Sequence, residues 1–237
     1  MAKRIITVLL VAVVSLACGV VLYAAHLKST ARTILQDVSH LVVGRSTLQD
    51  VKTLAAKYQS RVSTETGLSV PRSNSQPWLP AARHGGPNSC NSEWCQINIR
   101  VKNDKLAAIR LVSPAEFEVS LLVVNDRLEV VAVYLFSGKG RQTGAITQYL
   151  YNLGNNPFTQ GADYVLWSTG PNVLTAFVNT QTSAKYRERA FDFDMRCLAH
   201  VGNDCQSPGD YLPLAWQDWL ATGKARGPFL GEVARVE

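Results

Sequence analysis

"FEVSLLVVNDRLEVVAVYLF", residues 117–136, reads as two strands joined by a turn. Both halves are rich in β-branched and aromatic residues, and Asn125-Asp126 between them is a turn former. Neighbouring stretches extend the pattern. In "CQINIRV" (95–101), Cys95, Ile97, Ile99 and Val101 alternate with Gln96, Asn98 and Arg100, the period of a half-buried strand. Asn103-Asp104 marks a turn, and "LAAIRLV" (106–112) before Pro114 predicts another strand. Together these stretches make an antiparallel meander of about four strands.

Downstream, "SGKG" (137–140) is a turn and "AITQYLY" (145–151) a fifth strand candidate. A Gly/Asn/Pro-rich loop follows at 154–161. Then come a strand at 173–179, a short helix at 182–190, a strand "FDFDMRCL" at 191–198 and an amphipathic helix in "LPLAWQDWLA". The expected fold class is α+β: an antiparallel β-sheet meander with a few packed short helices, preceded by one N-terminal transmembrane helix.

That helix rests on "IITVLLVAVVSLACGVVLYAA", residues 5–25, a run without a charge. At about 1.5 Å rise per residue it spans roughly 30 Å, the thickness of bilayer hydrocarbon. A cleaved signal peptide needs a shorter apolar core and a small-residue exit, and Tyr23-Ala24-Ala25 puts a bulky side chain there. Ser15-Leu16-Ala17-Cys18 loosely resembles a lipobox, but the chain stays apolar beyond Cys18. An uncleaved anchor fits the length best, with cleavage or lipidation at Cys18 as its rivals.

The expected organisation is a cytoplasmic tail (1–4), the anchor (5–25) with a stalk reaching 42, an extracytoplasmic domain (43–222) and a flexible tail (223–237). Lys3 and Arg4 ahead of the anchor give a slight bias toward a cytoplasmic N-terminus. This places the chain in the cytoplasmic membrane, with its C-terminal domain on the periplasmic side.

The cysteines bear on the same question. Beyond the anchor there are four: Cys90, Cys95, Cys197 and Cys205. An even number in an exported domain reads as disulfides, and the local pairs Cys90–Cys95 and Cys197–Cys205 each bracket a polar loop with turn formers. Zinc ligands usually come in pairs two to four residues apart, which the second pair does not match. Neither pair has the C-x-x-C spacing of a redox site.

Net charge is +6, from 24 basic and 18 acidic residues, spread without a block of like charges. No nucleic-acid-binding motif accompanies it. The expected partners are the lipid bilayer, met through residues 5–25, and another envelope protein or polymer.

Residues 43–58, "VGRSTLQDVKTLAAKY", read as a glycine stop, a cap and a helix. Ser46 with Gln49 forms an S-x-x-Q capping box, and Leu48, Val51, Leu54, Ala55 and Tyr58 make one apolar face. With Leu41 and Val42 included, the stretch resembles the opening of the small outer-membrane assembly lipoproteins, the SmpA/OmlA-like family. Their first helix follows Gly-x-[ST]-x-x-[DEQ]-V. Thr47, Asp50 and Val51 match once an extra position is allowed after Gly44. The resemblance implies two helices packed on a short antiparallel sheet and carries no function here. The overall layout also resembles uncharacterised single-pass bacterial proteins of the acidobacterial type, which implies no activity either.

Residues 60–93 read as a long loop with Pro71, Pro77, Pro80, Gly85, Gly86 and Pro87. A connection this long is usually functional or disordered. With Trp78, His84 and Trp94, its 68–93 portion is the expected binding surface.

Catalytic motifs are weak. Asp192 and Asp194 would share one face of the strand at 191–198, a carboxylate pair that Arg196 eases. "SGKGRQTG" lacks P-loop spacing, and "HGG" at 84–86 has no nucleophile elbow to accompany it. The four histidines show no ligand spacing. No catalytic, metal or cofactor residue is assigned. The expected function is a membrane-anchored binding or interaction domain of the cell envelope. The alternative is an envelope hydrolase, acting on cell-wall or lipid material, that uses Asp192, Asp194 or His84.

Overall fold

The computed structural model describes residues 2–67, 84–85, 90, 94–110, 112–138, 143–150, 164–170, 172–199, 205–222 and 232–235. Helix α1 (Ala2–Ser39) runs unbroken through both the apolar N-terminal segment and the residues after it. Its first part keeps Ile5, Leu9, Val13, Leu16 and Leu22 exposed, and it is long and apolar enough to cross a membrane. Its last part is different. Val20, Tyr23 and Ala24 begin to pack on the domain, and Leu27, Ala31, Ile34 and Val38 are fully buried. That spacing of three and four puts one stripe against the protein. The expected stalk to residue 42 is therefore a core helix of the domain, and it ends at Ser39.

The stripe rests on a nine-stranded sheet. Its strands are β1 (Val62–Gly67), β2 (His84–Gly85), β3 (Trp94–Lys102), β4 (Ala115–Val124), β5 (Arg127–Ser137), β6 (Thr143–Leu150), β7 (Tyr164–Gly170), β8 (Val173–Asn179) and β9 (Glu232–Arg235). The order is β2-β1-β3-β4-β5-β6-β8-β7-β9. Strands β3 to β6 form an antiparallel meander, as expected in kind, with the anticipated 106–112 strand missing from it and the fifth candidate, now β6, closing it. At the β4–β5 hairpin both Asn125 and Asp126 take positive φ, 48° and 61°, the geometry whose twist matches that of paired strands. The meander ends at β6, which pairs parallel to β8.

Both faces of the sheet carry an apolar cluster. One carries Ile97, Ile99, Phe117, Val119, Leu121, Val131, Val133, Leu135, Leu174 and Ala176, and it belongs to the main core with α1. The other carries Leu122, Val130, Ala132, Tyr134, Phe136, Val165 and Phe177. Gly144 lies under the Phe136 ring, where an added Cβ would stand 2.3 Å from Phe136 Cδ1 and 2.6 Å from the Leu135 carbonyl.

Among the described residues five short helices join the sheet: α2 (Leu48–Ala56), α3 (Asp104–Ala108), α4 (Ala184–Ala190), α5 (Pro208–Tyr211) and α6 (Pro213–Ala221). Gly44, at φ 82°, turns the chain after α1, and its N–H donates to the Leu128 carbonyl at 2.7 Å. The cap of α2 sits one residue later than expected. Thr47, not Ser46, is the N-cap, and Asp50, not Gln49, closes the box. The Ser46 hydroxyl instead accepts from the Val42 N–H at 2.9 Å. Asp126 of the β4–β5 turn accepts from the Leu48 N–H at 3.3 Å, so the hairpin helps seat α2.

Two expected strands are absent. Residues 104–108, at the front of the anticipated 106–112 strand, form α3. Leu106 turns inward and Ile109 outward, while Arg110 takes φ 56°. The loop is fastened by Asn103, which donates to the Ser113 carbonyl and accepts from the Ala115 N–H, both at 2.8 Å. In the second case, 192–194 is irregular and Met195–Ala199 is a 3₁₀ helix. Its alternation reflects Phe193, Met195 and Cys197 turning into the core rather than a sheet.

The expected 60–93 loop contributes β1 and β2, and the expected tail contributes β9 on the open side of β7. Strand β7 was not anticipated at all. The anticipated 154–161 loop and most of 68–93 lie outside the described residues. Cys90 is bonded to Cys95 and Cys197 to Cys205, with Cα separations of 5.2 and 5.6 Å. The second bridge closes onto the 3₁₀ helix, not a strand end. Cys18 is a free, exposed thiol.

Candidate functional site

A cavity of about 530 Å³ opens between the end of α1 and the segment that follows α4. The sheet supplies its floor through Val131 of β5 and Tyr149 of β6. Leu35, Val38, Leu41 and Val42 form the α1 side, and Phe191, Phe193 and Met195 the opposite side. The local sequence explains this wall. Helix α4 ends at Ala190, whose carbonyl accepts a 2.5 Å hydrogen bond from Thr147 of β6. The chain then crosses the sheet with Phe193 edge-on to Phe117 and with the Asp194 N–H donating to the Tyr211 carbonyl at 2.9 Å.

Polar groups punctuate the apolar lining. Arg187 stacks its guanidinium 4.9 Å from the centre of the Tyr149 ring, an arrangement that holds a cation over an aromatic face. One arm of Arg187 donates to the Thr180 carbonyl at 2.8 Å, and its Nε is buried without a hydrogen-bond partner among the described residues. Arg32, Glu188 and Asp192 also line the cavity. Burial pushes the Asp192 carboxyl above the ordinary carboxylate value, and the negative charges of Asp194 and Glu188 add to that.

Asp194 behaves oppositely. Burial pushes it up, but hydrogen bonds from Arg196, with the charges of Arg196 and Arg32, hold it below the ordinary value. The Arg196 Nε donates to its carboxylate at 2.7 Å and the Arg196 N–H at 2.9 Å. The two aspartates therefore do not form a pair on one strand face. Asp194 is engaged by Arg196, while Asp192 faces the cavity.

A second concavity adjoins the first. It follows α1 along Val20, Val21, Ala24, Ala25, Lys28, Ser29, Arg32, Thr33 and Gln36, with Ala199 of the 3₁₀ helix opposite. Arg32 and Gln36 belong to both, so the groove and the cavity meet at that turn of α1.

The residues favoured from the sequence lie elsewhere. Trp78 is outside the described residues. The backbone of His84 sits in β2 opposite Glu65 of β1, and that of Trp94 begins β3 opposite Gly67 and Val124. Both belong to the β2–β1–β3 side of the sheet, whereas the cavity lies over β5 and β6. No group of three or more metal-ligating side chains occurs among the described residues. Arg32, Tyr149 and Arg187 carried no local signal, because the cavity draws on four separated stretches of chain. The sequence matches no protein-family profile, no curated protein and no solved structure.

Proposed function

We propose that this chain is a membrane-anchored, extracytoplasmic binding protein of the cell envelope, and that it takes an apolar ligand in the cavity beside α1. The cavity carries the reading. Its volume of about 530 Å³ falls within the range of roughly 300–1,000 Å³ usual for ligand sites, and its wall is mainly apolar with a few polar groups. The apolar first half of α1 supports the anchor, and two disulfides support an oxidising compartment. Lys3 and Arg4 just ahead of the apolar run favour a cytoplasmic side for that end, which sets the domain on the periplasmic side of the cytoplasmic membrane. The likeness of residues 41–58 to outer-membrane assembly lipoproteins agrees with an envelope setting and adds no activity.

Two measurements test this. A compartment-sensitive reporter fused to the C-terminus should be active only outside the cytoplasm. A neutral fluorophore such as 1-aminoanthracene should bind the detergent-solubilised full chain and lose affinity when Leu35→Trp fills the cavity. Binding that ignores this substitution in a folded protein removes the site.

Of the hydrolase candidates, Asp194 is engaged by Arg196 and the His84 backbone lies in β2, away from the cavity, which leaves Asp192. A carboxyl with a raised pKa in a cavity wall is what a general acid requires. Turnover of a lipid or cell-wall substrate that disappears in Asp192→Asn, with ligand binding kept, would favour that reading.

A further inference from the structure

We infer that the groove along α1 is an entry path from the bilayer, and that the cavity accepts one acyl chain of an anionic phospholipid whose headgroup is held by Lys28 and Arg32. The inference rests on the cavity being the ligand site and adds what enters it and from where.

Depth is the first argument. If the hydrocarbon boundary falls near Ala25, Lys28 and Arg32 stand about 5 and 10 Å beyond it along the helix axis, at the level of lipid headgroups. The groove begins below that level, at Val20 and Val21, and ends at Arg32 and Gln36, where the cavity opens. A chain moving along it would pass from one apolar surface to another.

Charge is the second. Among the described residues, those lining the groove include Lys28 and Arg32 and no acid. The acids of the site, Glu188 and Asp192, line the cavity and not the groove. Arg32 faces the field of Asp194, which Arg196 already engages, so its guanidinium remains exposed at the junction. An anionic headgroup is thus favoured at the groove and an uncharged chain within.

Size is the third. A volume of about 530 Å³ suits a single hydrocarbon chain rather than a whole two-chain lipid. The second chain would stay in the leaflet.

The test uses the full chain in nanodiscs of phosphatidylcholine containing a minor fraction of phosphatidylglycerol with a diazirine at the end of one acyl chain. After irradiation, mass spectrometry should find the label on Val131, Phe193 or Met195. Joint Lys28→Glu and Arg32→Glu substitution should cut that labelling about tenfold, the scale of a lost charge-assisted contact. Leu35→Trp should abolish it.

A diazirine phosphatidylcholine that labels these residues as strongly as phosphatidylglycerol overturns the headgroup assignment. Labelling by a diazirine fatty acid but not by the phospholipid overturns the bilayer source. If 1-aminoanthracene binds in the cavity while neither lipid labels it, the inference falls and the binding reading stands. If the neutral probe also fails, both fall.

Discussion

The Tyr58 hydroxyl donates a 2.8 Å hydrogen bond to Asp37 Oδ2, joining the last turns of α1 to the chain just after α2. Lys57 reaches the same carboxylate at 3.3 Å. The hydrogen bond from Tyr58 is the main reason that Asp37 sits below the ordinary carboxylate value; burial opposes it and Lys57 adds to it. Burial, then the Asp37 interaction, pushes the Tyr58 phenol up to about 12.

Tyr58→Phe should therefore cost about 1.5–3 kcal/mol, the usual worth of a hydrogen bond to a charged group, measured by chemical denaturation. The pH dependence has a definite sign. Asp37 contributes above about pH 4, its unfolded value, and the contribution is lost as pH falls through the lower folded value. Tyr58 contributes below about pH 10, and that part is lost as pH rises through about 12. The phenylalanine variant should show a smaller loss on both sides. Unchanged profiles would mean that the contact adds nothing.

The α2 cap separates the two possible boxes. Thr47→Ala removes the oxygen that accepts from the Asp50 N–H at 3.3 Å and should cost about 1 kcal/mol. Gln49→Ala should be neutral within about 0.5 kcal/mol, as expected for a surface position away from such a feature. The reverse ranking in thermal melts would restore the Ser46–Gln49 assignment.

Arg189 of α4 holds Asp218 of α6 through two 2.7 Å hydrogen bonds, and its guanidinium also donates to the Leu214 carbonyl at 3.3 Å. Both side chains are mostly buried. Asp218→Ala should cost about 2–3 kcal/mol, less than a fully buried pair because solvent still reaches this one. The double variant with Arg189→Met should cost clearly less than the sum of the single changes.

Gly144→Ala should destabilise by about 1–3 kcal/mol. Phe136→Ala should not rescue it, because the Leu135 carbonyl, 2.6 Å from the new methyl, is backbone and stays in place. A double variant as stable in equilibrium unfolding as Phe136→Ala alone would put the conflict in the ring alone.

Thiol counting checks the covalent framework. In denaturant without reductant, one of the five cysteines, Cys18, should be alkylated; after reduction all five should be. An alkylated Cys18 also excludes its lipidation in that preparation.

The meander was legible because its strands announce themselves locally. Residues 117–136 are two runs rich in β-branched and aromatic residues joined by a turn at Asn125-Asp126. Strand β1, "VSTETG", has almost no apolar content and owes its place to pairing with β3. Residues 104–110 and 191–198 failed for the opposite reason. Their apolar residues suit a strand, but α3 is closed off by the Asn103 clasp, and the second stretch is set by the Cys197–Cys205 bridge and the Asp194–Tyr211 contact. The cavity was invisible in the sequence because residues near 35, 131, 149, 187 and 193 meet only in the fold. Arg32 looked like one more surface charge until Gln36 and Ala199 defined a groove around it.

With its apolar half in a bilayer, the unbroken helix from Ala2 to Ser39 leaves no joint between lipid and domain. At about 57 Å it is a single lever, since 38 residues rise about 1.5 Å each. A thinner or thicker bilayer changes the lean of such a span. On the proposed anchoring, the domain, fused to the far end through Leu27, Ala31, Ile34 and Val38, would lean with it, and membrane thickness would set its posture.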